Sequence, residues 1–447
     1  MIHYKIMGTD GVSLEMNKWK RVLEDAGHTV YLLGAEIGDD ALIIHPALHH
    51  TSDIAKRLYR YSFVEPVGFA DEEEYHSVLY EEADKAEEVL TQFIEEKGID
   101  LIIPQNIWSV AMNPAVAIAM ERVSSRYRLP VVAQHHDFYW ERLGGAELVS
   151  PTARELAQRY LPPLDPSYKH VVINSRGQRQ MKERRGLDAK IIPNVFDFSK
   201  GSWKIDEYNE DLKTNIGLEP DDIMILQATR IVERKGIELA IDLIAKINER
   251  RAELIGRRSG AGKIFKEESE VVLVLAGYAS DDATGTYVNR LIAHAEEKQV
   301  SLRFISESIG HERKINDGKK TYSLWDSYVH ADLITYPSYW EGWGNQFLEG
   351  LFAKVPMVVY EYPIFLSDIK ERGFDYISLG STYTKDDETG LITIEEVQLD
   401  TAANQAIAYL TDTQMRETAV DKNFKLGKEY YSMEALKGYL LPLIPTE

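Results

Sequence analysis

Short apolar runs alternate with longer amphipathic ones along the first half of the chain. HTVYLLGA (28–35), IDLIIPQ (99–105), LPVVAQHHD (129–137) and YKHVVINS (168–175) are bounded by turn residues, the pattern of strands buried in a sheet. Between them, VSLEMNKWKRVLEDAG (12–27) and YHSVLYEEADKAEEVLTQFIEEKG (75–98) repeat their apolar positions with a helical period. Strand–helix alternation of this kind predicts a parallel sheet covered by helices on both faces.

The pattern then starts again. DDIMILQAT (221–229), EVVLVLAGY (270–278), VSLRFIS (300–306), ADLITYPS (331–338) and VPMVVYE (355–361) read as the strands of a second sheet. Helices are predicted among them over 236–250, 284–298, 345–353 and 402–411. The fold class is therefore α/β, with two Rossmann-like, doubly wound domains in tandem. The first covers 1–200, the second 201–424, and a C-terminal helix over about 425–447, within YYSMEALKGYLLPLI (430–444), is expected to pack back on the first. The join follows IIPNVFDFSK (191–200), where a polar segment leads into the second domain's first strand. Residues 251–269 look like a surface extension of a helix–strand connection.

Composition narrows the class. The 447 residues suffice for two domains of about 200 residues, each with its own core. Hydrophobic content of 44% and charged content of 28% fit a soluble globular enzyme, and no window approaches a membrane span. The start, MIHYKIMGTDG, lacks the basic and apolar regions of a signal peptide. Cysteine is absent, which excludes disulfides, thiol catalysis and thiolate metal sites and makes a cytoplasmic location the expectation. A net charge of −21 disfavours nucleic acid or an anionic membrane as partner, but leaves room for an anionic small molecule held by a few focused cations. A homo-oligomer is compatible with all of this.

In open parallel sheets, ligands bind outside the carboxyl ends of the strands. After the first strand, GTDGVSLEM (8–16) is a glycine-bearing turn into a helix that lacks the dinucleotide fingerprint; Gly11 and its neighbours offer amides to a phosphate, though a structural turn is the commoner reading. GRRSGAGKI (256–264) imitates a phosphate-binding loop but has the wrong glycine spacing, Ile264 in place of Ser or Thr, and a strand after it instead of before it. ATRIVERKG (228–236) places Arg230 and Lys235 between a strand end and a helix start, where a pyrophosphate would be neutralised; solvated loop charges are the competing reading.

Two further segments carry polar chemistry. AQHHDFYW (133–140) ends a strand with His135, His136 and Asp137, then three aromatics. A metal site lacks a second ligand cluster, so histidines bonding a substrate hydroxyl, with Tyr139 and Trp140 walling a sugar, fit better; a strand-end histidine paired to Asp137 is the bland alternative. YWEGWGNQFLEG (339–350) sets Glu341 and Glu349 around a bend containing Gly342 and Gly344, with Asn345 and Gln346 opening the next helix. Carboxylates accept hydrogen bonds from vicinal sugar hydroxyls, and glycines let a backbone approach a phosphate or sugar closely. A nucleotide diphosphate sugar satisfies both sets of groups.

These segments carry a family resemblance. SYWEGWGNQFLE resembles the signature of the retaining glycosyltransferases of family 4, two glutamates separated by seven residues, and ATRIVERKG is similar to that family's Arg and Lys pair. IIPNVFD resembles the IPNGVD segment joining its domains, and HTVYLLGA after Gly27 its GHEV strand. HDFYWER is most similar to the branch acting on soluble acceptors, that of sucrose-phosphate synthase, trehalose synthase and mannosylglucosylglycerate synthase.

The resemblance implies a GT-B architecture facing a central cleft, and metal-independent hexosyl transfer with retention, with no cofactor beyond the nucleotide sugar. Arg230 and Lys235 would stabilise the leaving diphosphate, Glu341 contact the donor sugar and Glu349 its ribose, and His136 sit at the reacting face. The departures are NVFD for NGVD and NQFLE for a more apolar run; the second leaves the transferred sugar open at Asn345 and Gln346. An epimerase of the same fold, a phosphorylase, transfer to a lipid or polysaccharide, and a non-catalytic binding module are the rival readings.

Overall fold

The structure, a computed structural model, describes all residues except 7–10, 35, 38–42, 45, 143–147, 149, 259–261, 278–284 and 446–447. It divides into two compact units, Met1–Val195 with Met433–Glu447, and Phe196–Ser432. The first unit thus ends five residues before the expected join. The returning segment begins at Met433 and not near 425, because the helix Thr413–Tyr431 stays with the second unit and Ser432 separates it from the helix Met433–Leu440. Leu436, Leu440 and Leu443 of that segment pack with Trp19, Val22, Val132 and Val171 of the first unit.

In the first unit, Val132–His135, Lys169–Val172 and Ala189–Ile191 are hydrogen-bonded in parallel. Parallel bridges link Ile2 to Leu33 and Pro104, Ile102 to Val131, and Gln105 to Gln134. The helix Glu72–Lys97 begins three residues before its expected start, because Asp71 accepts the Glu74 N–H as N-cap and three glutamates fill the first turn. It ends at Gly98, whose left-handed conformation a glycine adopts without strain. Leu79, Ala83, Ala86 and Leu90 turn its apolar face into the main core with Val116, Met120 and Val123.

The second unit is built on six parallel strands, in the order Ser301–Phe304, Val271–Leu275, Ile223–Gln227, Leu333–Tyr336, Met357–Val359, Ile377–Ser378. IMILQ, VVLVL and LITY are buried at every position, as the central strands of a doubly wound sheet must be. The strand order reverses between Ile223–Gln227 and Leu333–Tyr336, and outside the carboxyl ends of that pair lies the natural ligand crevice of such a sheet. The sequence pattern did not show a small sheet of Ile309–Gly310, Lys314–Asn316 and Lys319–Ser323, which is too polar to read as buried strand.

Candidate functional site

Both segments singled out in the second half emerge at the switch point of the second unit. The strand Ile223–Gln227 runs into the loop carrying Arg230, Arg234 and Lys235, and Leu333–Tyr336 into the bend carrying Glu341 to Gly344. Glu341 is the centre of the charge arrangement. Its Oε1 accepts from Lys235 Nζ and its Oε2 from Arg234 Nη1 at 2.8 Å. Burial alone would push this carboxyl up, but Lys235 and Arg234 together hold it below its ordinary value. Burial lowers the Lys235 ammonium, as do the charges of Arg234 and Arg230, while Glu341 works the other way. The Lys235 ammonium also lies 5.9 Å from the centre of the Tyr336 ring. Arg230 is exposed at the edge of this group.

Two glycines shape the site, each for a reason the side chains around it supply. Gly344 has φ +144°, and a Cβ there would lie 2.5 Å from the Tyr362 hydroxyl and 3.1 Å from that of Tyr336. Tyr362 Oη donates to the Trp343 carbonyl at 2.5 Å, so the bend is held from beneath and glycine is required by the protein's own tyrosines. Gly277, directly beyond the strand Val271–Leu275, is closer still: a Cβ would sit 1.7 Å from the Thr229 carbonyl oxygen. It lets the neighbouring chain pass against the start of the Arg230 loop. Its signal in the sequence was the small pair Ala276–Gly277 at a strand end, and the sequence reading missed it.

The helix Asn345–Ala353 opens at Gly344 with no side-chain cap. Gln346, expected to reach toward sugar hydroxyls, is buried; its Nε2 donates to the Thr335 carbonyl at 3.3 Å, tying the helix start to the strand. Its Oε1 has no partner among the described residues. Glu349 is half-buried one turn on and accepts from Tyr328 Oη at 2.5 Å. The helix Ile237–Glu249 differs from expectation. Its Ile237 N–H donates to Tyr287 Oη, which in turn donates to the buried Glu238, so that amide is satisfied inside the protein.

In the first unit, Asn106 organises the strand-end loop. Its Oδ1 accepts the His136 N–H at 2.7 Å and its Nδ2 donates to Asp137 at 3.1 Å, while Arg142 grips the other Asp137 oxygen at 2.6 and 3.0 Å. Neither Asn106 nor Arg142 was anticipated. The two histidines part company. His136 is half-buried in the loop, whereas His135 is 1% exposed and bonded through Nε2 to His170 Nδ1 at 3.1 Å. His135, expected at the acceptor, is thus an interior residue, in a strand that is buried at every position.

Trp140 needs the same correction. It stacks on Phe138 at 4.3 Å, donates to Gln180, and belongs to a core cluster with Val172 and Met181. Tyr139 is half-buried and packs on Phe63 at 5.3 Å. Gly11 is the exposed first residue of the helix Gly11–Asp25, and the turn before it lies outside the described residues.

Residues 209–425 match the family model of the glycosyl transferases group 1. Over 437 residues the chain is 37% identical to a mannosylglucosylglycerate synthase of Petrotoga mobilis, covering 97% of this chain and 98% of that one. A mannosylglucosylglycerate synthase of Thermotoga maritima is 35% identical over 447 residues, with 98% of each chain covered. Among solved structures, a glycosyltransferase from Rickettsia africae aligns over 99% of this chain and 96% of that one with a TM-score of 0.61 at 11% identity, a likeness of fold.

Proposed function

The chain belongs to the group 1 glycosyltransferases and has their GT-B fold, and from that membership we propose that it transfers a hexose from a nucleotide diphosphate sugar to a hydroxyl of a small soluble acceptor, with retention of configuration. The observation that carries the donor half is the cluster of Arg230, Arg234, Lys235 and Glu341 at the switch point of the second unit, with Glu349 one helical turn away. In this cluster Arg230 and Lys235 meet a diphosphate, and Glu349 meets the ribose hydroxyls. The name borne by the two relatives suggests the first substrates to try: glucosylglycerate as acceptor and a mannose nucleotide as donor.

In this reading the acceptor hydroxyl attacks from the side on which the diphosphate departs. Negative charge builds on the phosphate oxygens as the glycosidic bond breaks. Lys235 and Arg230 stabilise it, a contribution of about 3–4 kcal/mol for a well-placed group. The leaving phosphate takes the acceptor's proton. His136 attends the reacting sugar, and Asp137 and Tyr139 serve the acceptor on the first unit. Neutralisation by side chains makes the reaction independent of a metal, in a cytoplasmic setting.

Purified enzyme is offered UDP-, GDP- and ADP-hexoses with glucosylglycerate and other small acceptors, and the product is read by mass spectrometry and its anomeric centre by NMR. Lys235→Ala should lower turnover about 100-fold or more at saturating donor with the fold intact. Near-native turnover in that variant would remove the phosphate role. EDTA should cost no more than about a few-fold; activity abolished by chelation and restored by a divalent ion would overturn the metal-independent reading. Product formed from donor without any acceptor would indicate an epimerase instead.

A further inference from the structure

Arg234 has no part in the chemistry proposed above, yet it contacts the segment Tyr339–Glu341 three times. Its carbonyl accepts the Tyr339 N–H at 3.1 Å, and its Nη1 donates to Trp340 O at 3.0 Å and to Glu341 Oε2 at 2.8 Å. Lys235 holds the opposite oxygen, Glu341 Oε1. The two cations lie at different depths: the Lys235 and Glu341 side chains are 10% and 11% exposed, that of Arg234 35%.

That asymmetry matters electrostatically. A lone Lys235–Glu341 pair is neutral and offers an anion nothing. To meet a phosphate, Lys235 would have to abandon a buried carboxylate, and an uncompensated buried charge is strongly unfavourable. Arg234 removes both obstacles. The triad carries one net positive charge, and Glu341 keeps a partner on Oε2 when the Lys235 ammonium turns away. A guanidinium suits the task, being permanently charged and able to bond a carbonyl and a carboxylate at once.

We infer that Arg234 is a positioning residue, which keeps Glu341 compensated so that Lys235 is released to the leaving diphosphate. The inference rests on the proposed role of Lys235 and assigns Arg234 no contact with the donor itself. It belongs to the chain's own reaction, as the counter-charge that lets one lysine serve two partners in turn.

The test is a set of variants read by kcat at saturating donor, with thermal midpoints recorded for each. Arg234→Ala should lower kcat about tenfold or more, leaving the acceptor KM within about twofold. In a Lys235→Ala background the same change should cost no more than about threefold, because the residue it serves is gone. In a Glu341→Gln background it should again cost less than about threefold, since no charge remains to compensate. Arg234→Lys should recover kcat to within about threefold of native.

An Arg234→Ala enzyme within about twofold of native kcat would overturn the inference. So would full losses that multiply in either background, the signature of a residue that merely holds the loop or touches the donor on its own account. If Lys235→Ala itself turned over normally, the phosphate role of Lys235 would fail first and this inference with it. A large Lys235→Ala loss beside a harmless Arg234→Ala would overturn this inference alone.

Discussion

Glu341 and Glu349 belong to one sequence motif but meet different surroundings. Glu341 is clamped between two cations, whereas Glu349 takes a tyrosine hydroxyl. Their variants should therefore part in binding experiments. Glu349→Gln should weaken the free nucleotide diphosphate about tenfold to a hundredfold, the worth of a charge-assisted hydrogen bond to the ribose. Glu341→Gln should leave that affinity no weaker than native, since it frees Lys235, and should depress turnover. A contact made only to the transferred sugar cannot affect a ligand lacking it. Calorimetry with the free nucleotide diphosphate separates the two, and equal weakening would mean that both carboxylates serve the loop's architecture.

Tyr328 extends the argument by one residue. Burial and the nearby Glu349 charge raise its hydroxyl well above the ordinary value, so it stays a donor throughout the neutral range. Tyr328→Phe removes the bond that fixes the Glu349 rotamer. The expected loss in nucleotide diphosphate affinity is about threefold to tenfold, the net value of one hydrogen bond. Unchanged affinity would mean that Glu349 is oriented by its other contacts.

At the scale of elements, the site is a matter of strand ends, and strand ends were largely legible. Continuous apolar runs such as VVLVL can bury both faces only in a covered parallel sheet, so the segments after them stood out as ligand candidates. Other features depend on contacts distant in sequence. Nothing in AQHHDFYW says that His135 meets His170, or that Trp140 lies under Phe138, because that depends on which face the neighbouring strand and helix cover. In the sequence Arg234 is one charge among several in its loop, and only the fold brings Glu341, distant in sequence, beside it. The small hairpin did leave a signal that was passed over. Asp317 and Gly318 both have positive φ, the Asp-Gly turn that joins two adjacent strands.

Gly277 tests the element scale most directly, since it has no side chain to contribute. Any Cβ there must displace the Thr229 backbone, from which the Arg230 loop departs. Gly277→Ala should destabilise the second unit by about 1–3 kcal/mol, as overpacking does. It should also weaken nucleotide diphosphate binding through the displaced loop. Thermal unfolding and calorimetry on the same variant check the pair of effects. Native stability together with native affinity would show that the two chains separate at no cost.

At the scale of the whole molecule, the acid limb of stability should be set partly by two buried imidazoles of the first unit. His135 and His170 are buried against each other in the first unit. Burial lowers His170 to about 4, with the Arg185 charge adding to it. Burial and the neighbouring His170 and His136 lower His135 well below its ordinary value. A histidine depressed in the folded state stays neutral there while the unfolded chain takes up a proton near pH 6.5, so the unfolded state binds more protons and stability rises with pH. The pair thus costs nothing above about pH 7 and costs progressively more as pH falls from 6.5 toward 4. At pH 5 the loss from His170 is about 2 kcal/mol, and His135 acts in the same direction. Replacing both by leucine removes the titration and exchanges one buried hydrogen-bonded pair for an apolar one, a change that is near neutral when shapes match. The double variant should match the native enzyme's unfolding midpoint near pH 7.5 and exceed it by a growing margin down to pH 5. Parallel pH profiles for the two proteins would show that the imidazoles titrate alike in the folded and unfolded chains, and would place the acid sensitivity among the ion-paired carboxylates instead.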